Sequence, residues 1–176
     1  ADGMWSPVRR ALGLPGGKGR GEWLAFRQYV SGAGPRAADL HVWFEADLLP
    51  GYAWSFPLPD GRANVGLGVL RGRSGSGGLT GRLAAGLLDR PALRAVLGEG
   101  ATAEDRMSAW PIPAHLDRAV LAHGPVLFAG DAAAATDALT GEGIGQALLT
   151  GILAGEAVLA GGPAAGIGRR YDKSVR

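Results

Sequence analysis

Residues 125–145 read PVLFAGDAAAATDALTGEGIG, and this stretch decides the fold class of the chain. Its first five residues form a short continuous apolar run, which is typical of a strand buried on both faces of a sheet. Gly130 and Asp131 end the run, so we expect a carboxylate at the carboxyl edge of a sheet, where α/β folds bind ligands. A long helix, roughly 143–159, is predicted to follow after a loop.

The glycines of that loop predict a helix start that attracts an anion. Gly141, Gly143 and Gly145 leave the first amides of the helix exposed, and these amides carry a partial positive charge. The small alanines 132–135 let a bulky group approach the backbone closely. A phosphate and the negatively charged N1–C2=O edge of a reduced flavin are both candidate anions. On spacing alone, an ordinary strand–helix unit with a tight glycine turn is an equal alternative.

The middle of the chain predicts antiparallel strands. Segments 23–30 and 40–46 alternate with period two, and a hairpin follows in which 52–58 and 63–70 flank the turn Pro59-Asp60-Gly61. Gly13 to Gly21 reads as a loop, and helices are expected over 79–88 and 91–97.

The hairpin also carries an aromatic pattern. Tyr52, Trp54 and Phe56 lie at alternate positions, so they share one face of their strand. Gly66 and Gly68 on the opposite strand have no side chain, which predicts a groove wide enough for a slender apolar ligand. An aromatic core ladder beside a glycine-rich strand would give the same pattern.

Composition excludes several classes of protein. The 176 residues contain no Cys, which rules out a disulfide framework, a thiolate nucleophile and an iron–sulfur cluster. The net charge is +2, and the basic residues are scattered, so no nucleic-acid partner is expected. His41, His115 and His123 lack metal-ligand spacing, so no metal site is expected. The sequence shows no secretory signal and no apolar run long enough to span a bilayer.

The first residues contain a third motif, Asp2-Gly3-x-x-Ser6-x-Val8-Arg9-Arg10. Ser6 can cap a short helix, and Pro7 stands at its first position. Taken alone, the motif is a capped helix start with an acidic residue before it.

The three motifs, in this order, resemble the flavoprotein superfamily that includes the aromatic hydroxylases and, within it, the geranylgeranyl reductase family. Asp2-Gly3 with Arg9-Arg10 resembles the DG segment of the superfamily. Gly130-Asp131 resembles its GD motif, whose Asp binds the ribityl portion of FAD, and residues 140–144 are similar to the turn under the isoalloxazine. Residues 50–68 point to the geranylgeranyl reductases, where this segment is implicated in holding the isoprenoid substrate.

The resemblance implies a mixed α+β and α/β fold: an antiparallel substrate-domain sheet plus the C-terminal strand and helix of a Rossmann-like FAD-binding domain. It assigns 1–20 to a remnant of the FAD-binding domain, 21–115 to a substrate-binding sheet with helices, and 116–176 to the C-terminal part of the FAD-binding domain. The family begins with a strand and a G-x-G-x-x-G loop that holds the ADP half of FAD, and this sequence contains neither. We therefore expect a C-terminal portion of such an enzyme, which by itself binds FAD weakly or not at all.

The resemblance also implies the site residues. Those expected to bind FAD are Asp2, Gly3, Arg9, Gly130, Asp131, Gly141, Gly143 and Ile144. Those expected to bind a polyprenyl substrate are Tyr52, Trp54, Phe56, Gly66 and Gly68. No catalytic side chain is identified, because a helix N-terminus favours the ionised form of Glu142 and makes it a poor acid.

Three functions stay open at this point. The resemblance implies FAD-dependent reduction of C=C bonds in a geranylgeranyl or polyprenyl substrate, with NADPH or ferredoxin as candidate electron donors. A flavin-dependent monooxygenase of the same superfamily and a non-catalytic isoprenoid-binding or lipid-binding module are the alternatives. A cytoplasmic enzyme with peripheral membrane contact would suit such a substrate.

Overall fold

The computed structural model describes residues 2–14, 21–71, 81 and 83–176. The predicted loop from Gly13 to Gly21 falls largely on residues outside these ranges. Of the predicted helix 79–88, residues 79, 80 and 82 lie outside them, residues 83–85 are helical, and Leu87–Asp89 form a 3₁₀ turn. The chain divides into two compact units, Trp23–Pro111 and the pair of segments Ala1–Glu22 and Ile112–Arg176. The roles that the resemblance assigns to stretches of the chain stay a prediction.

The described residues form strands and helices in the following order. The strands are β1 (Trp23–Ser31), β2 (His41–Trp43), β3 (Tyr52–Leu58), β4 (Arg62–Leu70), β5 (Thr102–Ala103), β6 (Ser108–Ile112), β7 (Ala122–His123) and β8 (Val126–Leu127). The helices are α1 (Pro7–Ala11), α2 (Pro91–Leu97), α3 (Ile144–Leu159) and α4 (Ala164–Val175). None of the helices in the described ranges has the length and apolar character that crossing a bilayer requires.

The unit Trp23–Pro111 is built on an antiparallel sheet with strand order β2-β3-β4-β1-β5, and β6 also pairs with β1. The predicted hairpin is confirmed, because β3 and β4 pair from Tyr52 opposite Gly68 to Leu58 opposite Arg62. Strand β2 is shorter than the predicted segment 40–46, since the chain turns after Trp43.

One face of this sheet forms the hydrophobic core of the unit. Alternate residues of β4 point toward it, from Ala63 to Val69, and each is at most 4% exposed. Helix α2 contributes Leu93, Val96 and Leu97 to the same core. The intervening residues of β4 therefore lie on the opposite face of the sheet.

In the other unit, α4 packs against the hairpin of β7 and β8 and against α3. Tyr171 of α4 is fully buried, and its hydroxyl donates to the carbonyl of Phe128 at 2.6 Å. Burial raises the pKa of the Tyr171 phenol. The hydrogen bond fixes α4 to the end of the β hairpin.

The expectation of a strand over 125–129 that is buried on both faces is wrong. Strand β8 contains only Val126 and Leu127, pairs antiparallel with β7, and is half-buried. Gly124 at φ +55° makes the hairpin turn before it, and Gly130 at φ +58° turns the chain soon after it. The apolar run is continuous because Phe128 packs into the core beyond the end of the strand.

Candidate functional site

Gly130 begins the single 3₁₀ turn Gly130–Ala133 that follows β8. Its φ of +58° is a conformation that L side chains rarely adopt, and a Cβ there would lie 3.2 Å from the Cβ of Ala147 on α3. The Gly130 amide donates to Thr150 Oγ1 at 2.9 Å. Both the backbone conformation and the close approach of α3 therefore require glycine at this position.

Asp131 lies in this turn and is close to the start of α3. Its carboxylate is half-buried and accepts no hydrogen bond from the part of the chain that the structure describes. A Cβ on Gly143 would lie 3.9 Å from Asp131 Oδ1, so the carboxylate and the helix start are neighbours. Asp131 can therefore accept hydrogen bonds from a ligand that lies against the first turn of α3.

The loop before α3 is shaped by Asp137, a residue that the sequence analysis did not select. Its Oδ1 accepts from the amides of Leu139 and Thr140 at 3.0 and 2.7 Å, and from the Thr140 hydroxyl at 2.8 Å. These hydrogen bonds lower the pKa of Asp137, and the bond from the Thr140 amide has the largest effect. An Asp followed three residues later by Thr is the available signal for such a turn.

The predicted free amides at the start of α3 are only partly free. Glu142 Oε1 accepts from the Gly145 amide at 2.7 Å, so Glu142 caps the helix. The amides of Gly143 and Ile144 meet no acceptor among the residues described. Gly141 has φ +71°, which brings the chain into the helix. Two amides, next to Asp131, remain for an anion or a carbonyl oxygen.

The DG segment forms a capped helix start. Asp2 Oδ2 accepts from the Ser6 hydroxyl at 2.8 Å and from the Val8 amide at 3.2 Å, and Ser6 Oγ accepts from the Arg9 amide at 3.0 Å. Burial raises the pKa of Asp2, but the hydrogen bonds from Ser6 and Val8 outweigh it and the pKa is lowered. Asp2 and Gly3 are both exposed. A role for either residue in binding FAD stays a prediction.

Arg9 joins the DG segment to the GD segment. Its buried guanidinium donates to the carbonyls of Val120 and Ala132 at 2.8 and 3.0 Å and lies 4.5 Å from the centroid of the Phe128 ring. A cavity of about 20 Å³, room for one water molecule, is lined by Arg9 and Asp131 among others. The two motifs therefore meet, and these contacts of Arg9 are with the protein itself.

Replacing Arg9 by Met should lower the free energy of unfolding by about 2–4 kcal/mol, because it leaves two carbonyls in the interior without a donor. Urea denaturation followed by circular dichroism measures the change. Arg10→Met is the matched control, since Arg10 is exposed and donates to Trp5 O at 3.3 Å. An Arg9→Met midpoint equal to that of the control would contradict the assigned role.

In the sheet unit, the aromatic residues lie on the face away from the core. Ring centroids of Tyr52 and Trp54 are 5.9 Å apart, as are those of Trp54 and Phe56, and Phe44 extends the series at 5.7 Å from Tyr52. These residues of β3 are half-buried, whereas the intervening Ala53 is 1% exposed and faces the core. The series is therefore a surface of the sheet and not a core ladder.

The two glycines facing this series differ. A Cβ on Gly66 would overlap the indole of Trp54, whose Nε1 donates to Asn64 Oδ1 at 3.2 Å. A Cβ on Gly68 would meet nothing within 4 Å. A groove over both glycines is therefore not formed, because the indole covers Gly66, its cross-strand partner; open space lies over Gly68, and a substrate groove there stays a prediction.

Comparison with known proteins identifies the relatives of the chain. No family model matches it. Digeranylgeranylglycerophospholipid reductase 2 of Methanopyrus kandleri is 31% identical over 159 residues, which are 89% of this chain and 39% of that protein. Menaquinone reductase of Mycolicibacterium smegmatis is 30% identical over 181 residues, 92% of this chain and 40% of that protein. The chain thus spans about two fifths of the length of these relatives.

Solved structures share the fold. A geranylgeranyl bacteriochlorophyll reductase-like protein from Thermoplasma acidophilum superposes with a TM-score of 0.70 at 23% identity, over 98% of this chain and 44% of that chain. CmlS, a flavin-dependent halogenase, gives a TM-score of 0.72 at 22% identity, over 100% of this chain and 33% of that chain. These relatives confirm the resemblance to the geranylgeranyl reductase family: the chain is similar over 89% of its length to digeranylgeranylglycerophospholipid reductases, and it shares the fold of a geranylgeranyl reductase-like protein.

Proposed function

We propose that the protein acts as an FAD-dependent reductase of C=C bonds in a geranylgeranyl or other polyprenyl chain. The observation that supports the proposal best is the juxtaposition of the Asp131 carboxylate with the amides of Gly143 and Ile144 at the start of α3. Within the described residues the carboxylate has no donor and the two amides have no acceptor, which suits a ligand that carries both kinds of group.

The residues present fit FAD. The ribityl chain carries hydroxyl donors, which the carboxylate of Asp131 can accept. The N1–C2=O edge of the flavin is an acceptor, and the amides of Gly143 and Ile144 can donate to it. Gly141 and Gly143 leave no side chain in the way of a planar ring. Reduced FAD, when bound, supplies the hydride for alkene reduction.

The chain's own contribution at this site is electrostatic. The free amides and the dipole of the 16-residue helix α3 stabilise negative charge held against its first turn. The Asp131 carboxylate would hold the ligand by accepting hydrogen bonds from the ribityl hydroxyls. Glu142 accepts from the Gly145 amide and is committed to capping the helix, so we assign it no proton transfer.

We assign the polyprenyl chain to the aromatic face of the sheet. Tyr52, Trp54 and Phe56 offer a half-buried apolar surface, and the open groove at Gly68 takes a chain that has no bulky substituents. One relative is named for a digeranylgeranyl lipid, which is a substrate of this class. The electron donor, NADPH or ferredoxin, the cytoplasmic location and peripheral membrane contact stay predictions.

The test uses the full-length protein, loaded with FAD and reduced with dithionite without oxygen. Mixing it with a geranylgeranyl phospholipid should restore the oxidised flavin spectrum and yield a lipid with fewer C=C bonds. If only oxygen restores the spectrum, the monooxygenase alternative replaces the reductase. If the protein takes up no flavin but a polyprenyl ligand raises its melting temperature, it is a lipid-binding module.

A further inference from the structure

We propose that Arg27 binds the anionic headgroup of the polyprenyl substrate, at the edge of the aromatic face of the sheet. This inference rests on the proposed function and narrows its substrate class to polyprenyl phosphates. It uses a residue of β1 that the motifs do not include.

The strand register places Arg27 on the substrate face. Arg27 of β1 lies opposite Gly66 of β4, and Gly66 lies opposite Trp54 of β3. Directly opposed residues of antiparallel strands point to the same side, so Arg27 and Trp54 share one face across three strands. Ala25 and Gly68 form the next row, about 7 Å along the strand from Arg27, and the space over Gly68 is open.

Stacking holds the Arg27 guanidinium at this edge. It lies 4.7 Å from the centroid of the Tyr29 ring, two residues along the same strand. A guanidinium stacked on a ring keeps its N–H donors in the plane of the group, where they can bind the oxygens of a phosphate.

Arg27 makes no ion pair within the described ranges; the carboxylate bonded beside it is that of Asp105, whose Oδ1 accepts from the Tyr29 amide at 3.3 Å. The second cation near Tyr29 is Arg62, which makes two hydrogen bonds of 2.7 Å to Glu104. Across the described ranges, by contrast, no carboxylate pairs with Arg27, and the side chain is exposed. An exposed cation without an ion pair among the described residues, one row from the open space at Gly68, suits an amphiphile with an apolar chain and an anionic head.

A polyprenyl substrate with a neutral headgroup would gain no binding energy from the charge of Arg27. A diphosphate ester and a glycerophosphate ester offer the same phosphate oxygens, so both sources share the chemistry that Arg27 recognises. The size of the rest of the headgroup distinguishes them, and separate probes measure each.

The test compares the full-length protein with Arg27→Gln by titration calorimetry. The probes are geranylgeranyl diphosphate, a geranylgeranylated glycerophosphate and the neutral alcohol geranylgeraniol. Arg94→Gln is the matched control, since Arg94 is an exposed residue of α2, which packs on the core face of the sheet. We expect Arg27→Gln to lower the affinity for at least one phosphate probe about tenfold, which corresponds to about 1.4 kcal/mol. The affinity for geranylgeraniol should not change.

The outcomes separate this inference from the proposed function. Equal affinity of Arg27→Gln and the parent protein for both phosphate probes would overturn the role of Arg27 while geranylgeraniol still binds. If Arg27→Gln lowered the affinity for geranylgeraniol as much as for the phosphate probes, the role of Arg27 would also be overturned. The loss would then come from a change in the shape of the sheet. If none of the three probes binds the parent protein, the proposed substrate face and the headgroup site both fail.

Discussion

Asp131→Ala in the full-length protein should lower the retention of FAD. The substitution removes the carboxylate beside the first turn of α3, where each charge-assisted hydrogen bond to the ligand is worth roughly 1.5–3 kcal/mol. We therefore expect FAD affinity to fall about tenfold to a hundredfold. The flavin absorbance per protein after gel filtration, and a titration of the apoprotein with FAD, measure the loss.

Two further variants make this experiment specific. Asp131→Asn keeps the shape and one acceptor oxygen but not the charge, so its affinity should lie between those of the parent protein and Asp131→Ala. Asp117→Ala removes an exposed carboxylate of the same unit, paired with Arg118 at 3.6 Å, and should leave the flavin content unchanged. A stoichiometric yellow Asp131→Ala protein would refute the assigned role.

Gly68→Val should block the polyprenyl groove without damage to the sheet. A Cβ at Gly68 meets nothing within 4 Å, so the fold can accept the larger side chain, which then fills the space assigned to the substrate. We expect geranylgeraniol affinity to fall tenfold or more, with the flavin content and the melting temperature retained. Trp54→Ala should weaken the same ligand about tenfold to a hundredfold through lost apolar contact, again with flavin retained.

Gly66→Val is the matched contrast to Gly68→Val. A Cβ at Gly66 would overlap both the Trp54 indole and the backbone carbonyl of Phe26, so this variant should lose stability. Equal geranylgeraniol affinity in Gly68→Val and the parent protein would remove the groove from the proposed site. Loss of flavin together with ligand in Trp54→Ala would instead indicate that Trp54 only supports the fold.

Local signals predicted much of the fold. The capped start of α1 depends on Ser6 and Pro7, and the turn of the β3–β4 hairpin on Pro59-Asp60-Gly61, all of them close neighbours in sequence. The prediction of a buried strand before Gly130 was wrong because an apolar run alone cannot distinguish a buried strand from a short strand followed by a buried turn. Partners of a strand are set by the rest of the fold.

The site was predictable in its residues but less so in its contacts. The sequence placed Asp131 beside a glycine-rich helix start, and the carboxylate does lie near Gly143. It could not show that Glu142 would occupy the Gly145 amide or that the Trp54 indole would cover Gly66, since both depend on side-chain rotamers. The bond from Arg9 to the carbonyl of Ala132 joins residues 123 positions apart, beyond the reach of any local pattern.

A crystal structure of the full-length protein with FAD bound would be decisive for this account. We predict that the ribityl chain lies within hydrogen-bonding distance of the Asp131 carboxylate, and that the N1–C2=O edge of the flavin accepts from the amides of Gly143 and Ile144. A flavin bound elsewhere, with Asp131 and the start of α3 not touching it, would contradict the account.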